Sequence, residues 1–258
     1  MYFLDSTIIN TQRVQVRDET HERFGRFYDE LCRGVDALIL IAYAFNLPDT
    51  VPVQPQERVF VYVRRTLYSS FFAFLASLDL IEHGFYTQSI SLNRGLMESL
   101  VTVIYLADMP AQMDRLPRIS VKVKNSLRMR DRFEHVIPGY WESHYKLSSE
   151  FTHPGQTGHV LKTRRESDGT LSADLGLAFN EDVMSMCMNE LSVLLAGFLK
   201  ALMEKFRGQL RFRETAHERA VRDARIALAN IIDSHVRLKG ENDWHRCTKP
   251  LWECGPTS

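Results

Sequence analysis

The sequence predicts an all-α protein, a single-domain bundle of about seven helices that carries one small β-hairpin. Most of the chain has apolar residues at spacings of three and four, which is the period of an amphipathic helix. Proline and glycine interrupt this pattern, and no repeat of fixed length is present. The segment HVLKTRRESDGTLSADLG is instead typical of a β-hairpin, because its Asp168-Gly169 dipeptide favours a tight turn.

The limits of the predicted helices follow from capping and breaking residues. Residues 1–17 are expected to form an irregular or partly extended arm, with Asp18 as the cap of the first helix. Pro55 suits the first turn of the second helix, Gly84 suits its C-terminal end, and Asn180 suits an N-cap. We therefore expect helices at about 19–45, 56–83, 87–108, 111–135, 138–153, 181–212 and 216–238, the second and third forming an antiparallel pair.

The remaining segments complete the domain organisation. The β-hairpin is expected at about residues 159–175, within a helical domain that spans residues 1–238. Residues 239–258 have the character of a loop-like C-terminal tail. Its Trp244, Leu251 and Trp252 are suited to anchor it against the helical body.

Composition and charge exclude several classes of partner. Of the 258 residues, 45% are hydrophobic and 25% are charged, which is ordinary for a globular protein. The 32 basic and 32 acidic residues cancel, so we expect no broad basic surface for nucleic acid or an anionic membrane. We see no signal peptide, and no stretch reaches the roughly 18 uncharged apolar residues that a membrane span needs. Cys32 and Cys187 fall in apolar helical patterns, as reduced cysteines of a cytoplasmic protein do.

Motifs for cofactors and metals are missing from the sequence. It contains neither G-x-x-x-x-G-K-[ST] nor G-x-G-x-x-G, the glycine-rich loops that bind nucleotides. It also lacks H-E-x-x-H, the helical zinc motif. We therefore expect no cofactor and no metal. Any catalytic or ligand-binding residues are expected among the polar residues of the apolar helices.

The predicted helix at 87–108 is apolar around most of its circumference but carries one polar seam. The seam follows helical spacing and consists of Thr87, Ser91, Arg94, Glu98, Thr102 and Tyr105. Charges on a buried helix need partners, because an unpaired buried charge is costly. Two interpretations stay open: Arg94 and Glu98 form a structural ion pair, or the carboxylate holds the guanidinium in place to bind an anion.

Asp79 and His83 lie four residues apart near the end of the preceding helix. In an antiparallel pair of helices, Asp79 is expected to lie roughly level with Arg94, which makes it a candidate second partner for that arginine. His83 has the position of a helix-end histidine that interacts with the last carbonyl groups.

A second polar face is predicted on the helix that ends at Pro154, and it consists of Tyr145, Ser149 and His153. A phenol, a hydroxyl and an imidazole on one face can donate, accept and shuttle protons. The separate orienting group of a serine hydrolase triad is missing, so we do not predict that activity.

Two motifs in this region resemble those of a family of uncharacterised bacterial proteins. They are R-G-L-M-E-S at Arg94–Ser99 and Y-K-L-S-S-E-F-T-H-P at Tyr145–Pro154, and the similarity spans roughly residues 60–160. The resemblance implies an all-helical fold in which the two motifs converge, and it names no substrate or activity. By that resemblance the polar positions of the family are Arg94, Glu98, Tyr145, Ser149 and His153.

Another motif, R-D-R-F-E-H at Arg130–His135, resembles the Arg-x4–6-His element of HEPN ribonucleases, with Asp131 at the polar position after the arginine. That resemblance implies a small helical enzyme that cleaves RNA without a metal, usually as a homodimer. Histidine would activate the ribose 2′-hydroxyl while arginine stabilises the charge of the phosphorane.

Three hypotheses about function follow from these residues. The first is a cytoplasmic sensor or effector module whose polar pocket binds a small or anionic ligand. The ligand-binding residues of that pocket would be Asp79, Arg94, Glu98, Tyr145, Ser149 and His153, with Arg94, Glu98 and His153 as candidates for any catalysis. The second is a metal-independent ribonuclease of a toxin or phage-defence system that uses Arg130 and His135, or Arg94 and His153. The third is an interaction protein in which all these residues are structural.

Overall fold

Long helices make up most of the chain that the computed structural model describes, which is residues 6–47, 51–116, 126–141, 163–165, 171–173 and 179–239. The α-helices in these residues are α1 Ser6–Ala44, α2 Pro55–Glu82, α3 Tyr86–Asp108, α4 Met129–Val136, α5 Glu181–Lys205 and α6 Thr215–Lys239. Short 3-10 helices follow α3 at Pro110–Arg115 and α5 at Arg207–Gln209. The predicted all-α helical bundle is confirmed for this part of the chain.

Helix α5 lies at the centre of the bundle and packs against α1, α2, α3 and α6. Asn180 caps it as predicted, because its side-chain oxygen accepts a hydrogen bond from the Val183 amide at 3.1 Å. The helix ends at Lys205, short of the predicted limit near residue 212. The chain turns there because the backbone of Leu210 bridges to Phe45, which ties the segment after α5 to the end of α1.

Helices α2 and α3 form the predicted antiparallel pair. Pro55 is the first residue of α2, where its missing N–H costs no hydrogen bond. Gly84 follows the helix with a φ of 80°, a left-handed conformation that glycine adopts without strain. The short turn then brings Ser89 of α3 against Ser77 of α2, with 2.7 Å between their hydroxyl oxygens.

The predicted start of the first helix is wrong. Helix α1 begins at Ser6, and Asp18 lies within it and pairs with the neighbouring Arg17 at 3.1 Å instead of capping it. Val16 and Thr20 are buried, and the Thr20 hydroxyl contacts the Met184 sulfur of α5 at 3.8 Å. This contact with a distant helix stabilises the early part of α1, and local periodicity does not reveal it.

The single helix predicted at 111–135 is also wrong. The 3-10 helix ends at Arg115, and the next residue, Leu116, has an extended ψ of 137° because Pro117 follows it in the sequence. The described chain resumes before α4, where the Leu127 amide donates to the Arg115 carbonyl at 2.8 Å. Helix α4 is not the solvated surface helix that its polar sequence suggests, because two of its residues, Arg132 and Phe133, are buried.

Two strands of three residues lie between α4 and α5. Thr163–Arg165 pairs antiparallel with Leu171–Ala173, with Arg164 opposite Ser172. The turn and the rest of the predicted hairpin at 159–175 lie outside the described residues, so the hairpin insertion stays a prediction. The same holds for residues 142–153 of the predicted helix at 138–153 and for the tail after residue 239.

Helix α5 is the one helix among the described residues that is long and apolar enough to cross a membrane. Of its most apolar window, 67% is buried inside the bundle. That burial is typical of the core helix of a soluble protein. Cys187 of this helix is buried and Cys32 is partly buried, and both are free thiols, as predicted.

Candidate functional site

The polar seam of α3 runs from a half-buried ion pair into the core. Arg94 Nε lies 3.2 Å from Glu98 Oε1, with the two side chains 23% and 30% exposed. One turn further, Thr102 is buried and its hydroxyl donates to the Glu98 carbonyl at 2.7 Å. The seam is therefore open to solvent at its charged pair and closed at Thr102.

Helix α4 places a second guanidinium against the closed end of the seam. Arg132 is 7% exposed, and its Nη1 donates to Thr102 Oγ1 at 2.5 Å. Tyr62 of α2 lies nearby: burial raises its pKa, and its hydrogen bond with Thr66 and the positive charge of Arg132 partly offset that rise. A buried guanidinium needs such polar neighbours, so Arg132 joins the seam to α2 and α4.

Arg132 is not among the predicted site residues, because α4 is rich in charged residues and its sequence is typical of a solvated helix. A usable signal was present in the apolar residues Met129, Phe133 and Val136, which recur at helical spacing and mark a face that packs on the bundle. Arg132 precedes Phe133 directly and therefore lies at the edge of that face.

The C-terminal end of α3 holds a cluster of charges around Asp108. Lys205 Nζ of α5 lies 2.7 Å from Asp108 Oδ1, and His135 Nε2 of α4 lies 3.5 Å from Asp108 Oδ2. The His135 ring also meets Tyr105 edge to face, with 5.1 Å between ring centroids. His135 is thus held at the end of α3.

The geometry of α4 separates the two residues of the ribonuclease motif. Arg130 and His135 are five residues apart, which places them about 140° apart around a helix. Arg130 is exposed, whereas His135 turns toward Asp108 and Tyr105. One chain therefore does not bring the two side chains to the same face of α4.

Asp79 does not pair with Arg94, and that prediction is wrong. Its carboxylate Oδ1 lies 3.4 Å from His83 Nδ1, and its side chain is 65% exposed. The same His83 nitrogen lies 2.8 Å from the Asp79 carbonyl oxygen, which confirms the interpretation of His83 as a helix-end histidine. Across the helix pair it is Ser77, further from the turn, that contacts α3.

The second half of the predicted pocket lies outside the described residues. Tyr145, Ser149 and His153 fall in the segment 142–162, for which the structure gives no positions. Their convergence with Arg94 and Glu98 therefore stays a prediction.

A second polar cluster, which was not predicted from the sequence, lies in the core between α2, α3 and α5. The Ser77 hydroxyl donates to Asn93 Oδ1 at 2.8 Å and also contacts the Ser89 hydroxyl. Asn93 Nδ2 in turn donates to Glu190 Oε2 of α5 at 3.1 Å. Ser77, Ser89 and Asn93 are fully buried, so each depends on the others for its hydrogen bonds.

Glu190 is the titratable group of this core cluster. Burial raises its pKa from an ordinary value of 4.5 to about 6, and the hydrogen bond from Asn93 partly opposes that rise. A carboxyl group that titrates near neutral pH inside a helical core is a frequent feature of functional sites. Asn93 and Glu190 are visible in the sequence as polar residues of largely apolar helices, but each has a polar neighbour and neither is singled out by the sequence.

The two polar sets lie on neighbouring faces of α3, because Asn93 and Arg94 are consecutive and about 100° apart around the helix. One face is turned to the core and holds the amide and carboxyl groups of the core cluster. The other is half-buried and holds guanidinium and carboxylate groups. Chemically, the half-buried face is suited to bind an anion.

The described residues define a helical bundle with a polar seam on α3. Comparison of the chain with models of known families, with curated proteins and with solved structures found no match. The resemblances to the uncharacterised bacterial family and to HEPN ribonucleases therefore rest on their sequence motifs alone.

Proposed function

We propose that this protein is a cytosolic helical module that binds a small anionic ligand at the polar seam of α3. The observation that supports the proposal is the half-buried Arg94, which Glu98 holds at 3.2 Å on the same seam that receives the buried Arg132. Arg94 and Arg132 thus place two guanidinium groups along this seam, and guanidinium groups bind the oxygens of carboxylates and phosphates.

Arginine is the residue type that such a site needs. Its guanidinium is always charged, and its planar fork matches the oxygens of a carboxylate or phosphate. The half-buried position strengthens the attraction to an anion, because charges near a protein surface interact more strongly than charges in water. Glu98 restrains the Arg94 side chain beforehand, which lowers the entropy lost on binding.

The competing interpretation is that the seam only stabilises the bundle. In that case Arg94 and Glu98 fix the position of α3, and no anion adds to the stability of the protein. The two interpretations differ in whether an anion raises the melting temperature, because a ligand stabilises a folded protein only if it binds that state.

The test is a thermal-shift screen of the full chain against inorganic phosphate, nucleoside monophosphates and dicarboxylates at fixed ionic strength. We expect one of these classes to raise the melting temperature, and Arg94→Gln to abolish that rise. The matched control is Arg222→Gln. Arg222 pairs with Glu218 at 3.3 Å, the two residues are also four apart on a helix, and this pair is exposed to solvent. An unchanged melting temperature in all anions, or a rise that survives in Arg94→Gln, would contradict the proposal.

The ribonuclease hypothesis makes a separate prediction for the same protein. If Arg130 and His135 cleave RNA, His135→Ala abolishes cleavage of a single-stranded RNA in the presence of EDTA. The divergence of the two side chains around α4 means that the site would need residues from a second copy of the chain. We therefore favour anion binding over this alternative.

A further inference from the structure

The last turn of α2 and His83, the residue that follows it, carry three metal-ligating side chains outside the α3 seam. Asp79, Glu82 and His83 lie at positions i, i+3 and i+4, which places them on one face of the helix. Each offers one ligand atom, and these atoms all lie within 4.8 Å of one another. We propose that they form a binding site for a divalent transition metal of the Zn²⁺ class, and this inference does not depend on the anion site.

One pair of the ligand atoms already has the spacing of a small metal site. Bonds of about 2.0–2.1 Å in a tetrahedral zinc site place neighbouring ligand atoms about 3.3 Å apart. His83 Nδ1 and Asp79 Oδ1 are 3.4 Å apart, and a metal bound at Nδ1 would replace the proton that this nitrogen donates to the Asp79 carbonyl oxygen. The Asp79 side chain is 65% exposed, so it can rotate toward an ion without displacing packed neighbours.

Glu82 is held in place by groups from another helix, which is a second observation in favour of a site. The Tyr28 hydroxyl of α1 donates to Glu82 Oε2 at 3.1 Å, and His21 Nε2 of α1 lies 2.8 Å from Glu82 Oε1. Ligating carboxylates in metal sites are commonly oriented by such hydrogen bonds. A carboxylate has about four lone-pair positions, so these contacts leave capacity for a metal bond.

The chemistry of the three ligands selects the class of metal. One imidazole with two carboxylates suits Zn²⁺ and similar first-row ions, whereas Mg²⁺ and Ca²⁺ prefer oxygen ligands alone. Two carboxylate charges balance the charge of a divalent ion. The site has three protein ligands, so a water molecule or a donor atom of another molecule completes the coordination.

The experiment is calorimetric titration of the full chain, without an affinity tag and after treatment with a chelator, with ZnCl₂ and separately with MgCl₂. We expect one equivalent of Zn²⁺ to bind at this site and Mg²⁺ to bind at least tenfold more weakly. His83→Gln should weaken Zn²⁺ binding at this site at least tenfold. Asp79→Asn should do the same, and because Asp79 is exposed, this variant keeps the test valid if His83→Gln fails to fold.

The matched control is His217→Gln in α6. His217 Nε2 lies 3.8 Å from Glu214, so it also pairs with a carboxylate, but the described residues provide no third ligand there. This variant should bind Zn²⁺ as the wild-type chain does. Failure of the wild-type chain to bind Zn²⁺, or wild-type affinity and stoichiometry in both His83→Gln and Asp79→Asn, would overturn the proposal.

Discussion

Replacement of Glu190 by glutamine should stabilise the protein at alkaline pH and leave its stability unchanged in acid. Glu190 accepts a hydrogen bond from Asn93 Nδ2, and a glutamine oxygen can accept the same bond. The substitution therefore keeps the contact and removes only the ability of the side chain to ionise.

The magnitude follows from the difference between the folded and unfolded pKa values. Burial raises the pKa of Glu190 from 4.5 to about 6, so the folded protein holds this proton more tightly than the unfolded chain does. The stability that the protonated carboxyl contributes is complete below pH 4.5 and is lost as the pH rises through 6. A pKa difference of about 1.5 corresponds to about 2 kcal/mol, and the remaining exposure of Glu190 makes this an upper bound.

The assay is urea unfolding followed by circular dichroism at pH 4.5 and pH 8. We expect Glu190→Gln to raise the free energy of unfolding by about 1–2 kcal/mol at pH 8 and by about zero at pH 4.5. The control is Glu204→Gln. Glu204 lies on the exposed side of the same helix, 3.9 Å from Arg225, and its replacement should change the free energy of unfolding by less than about 0.5 kcal/mol at either pH. Equal destabilisation by Glu190→Gln at both pH values would refute the reasoning, because it would mean that the ionised carboxylate is well paired in the core.

Two further predictions test the packing around the seam and the core. A double-mutant cycle of Arg132→Met and Thr102→Val should give a coupling energy of about 1.5–3 kcal/mol in urea unfolding, as expected for a buried charge-assisted hydrogen bond, and zero coupling would contradict that bond. Gly34→Ala should destabilise the protein by about 1–3 kcal/mol, because the new Cβ would lie 2.5 Å from Leu195 Cδ2. In Gly25→Ala, in the same helix, the new Cβ has no atom within 4 Å, so this variant should stabilise the protein by up to about 1 kcal/mol. If both variants shifted the melting temperature in the same direction, the packing of α1 on α5 would be contradicted.

Features that depend on neighbours in the sequence could be predicted. Pro55 and Gly84 mark the two ends of α2 through their own backbone preferences, and Asn180 caps α5 with its own side chain. The contact between Arg94 and Glu98 also follows from local geometry, since residues four apart on a helix are neighbours.

Features that depend on contacts between distant segments could not be predicted from the sequence. The start of α1 is stabilised by packing of Thr20 on Met184, and these residues are far apart in the chain. The burial of Arg132 depends on how α4 docks against Thr102 of α3. By contrast, the break after Leu116 could have been predicted, because Pro117 disfavours helix at the residue before it.

The arrangement of α3 makes the proposed anion site separable from the fold. The helix is held by its apolar residues and by the buried contacts of Asn93 with Ser77 and Glu190, which lie on a different face of α3 from the half-buried pair. Arg94 and Glu98 keep part of their surface in water, and ion pairs of that kind contribute little to stability. Substitution of Arg94 should therefore leave α3 folded, so that a lost response to anions reports on binding and not on unfolding.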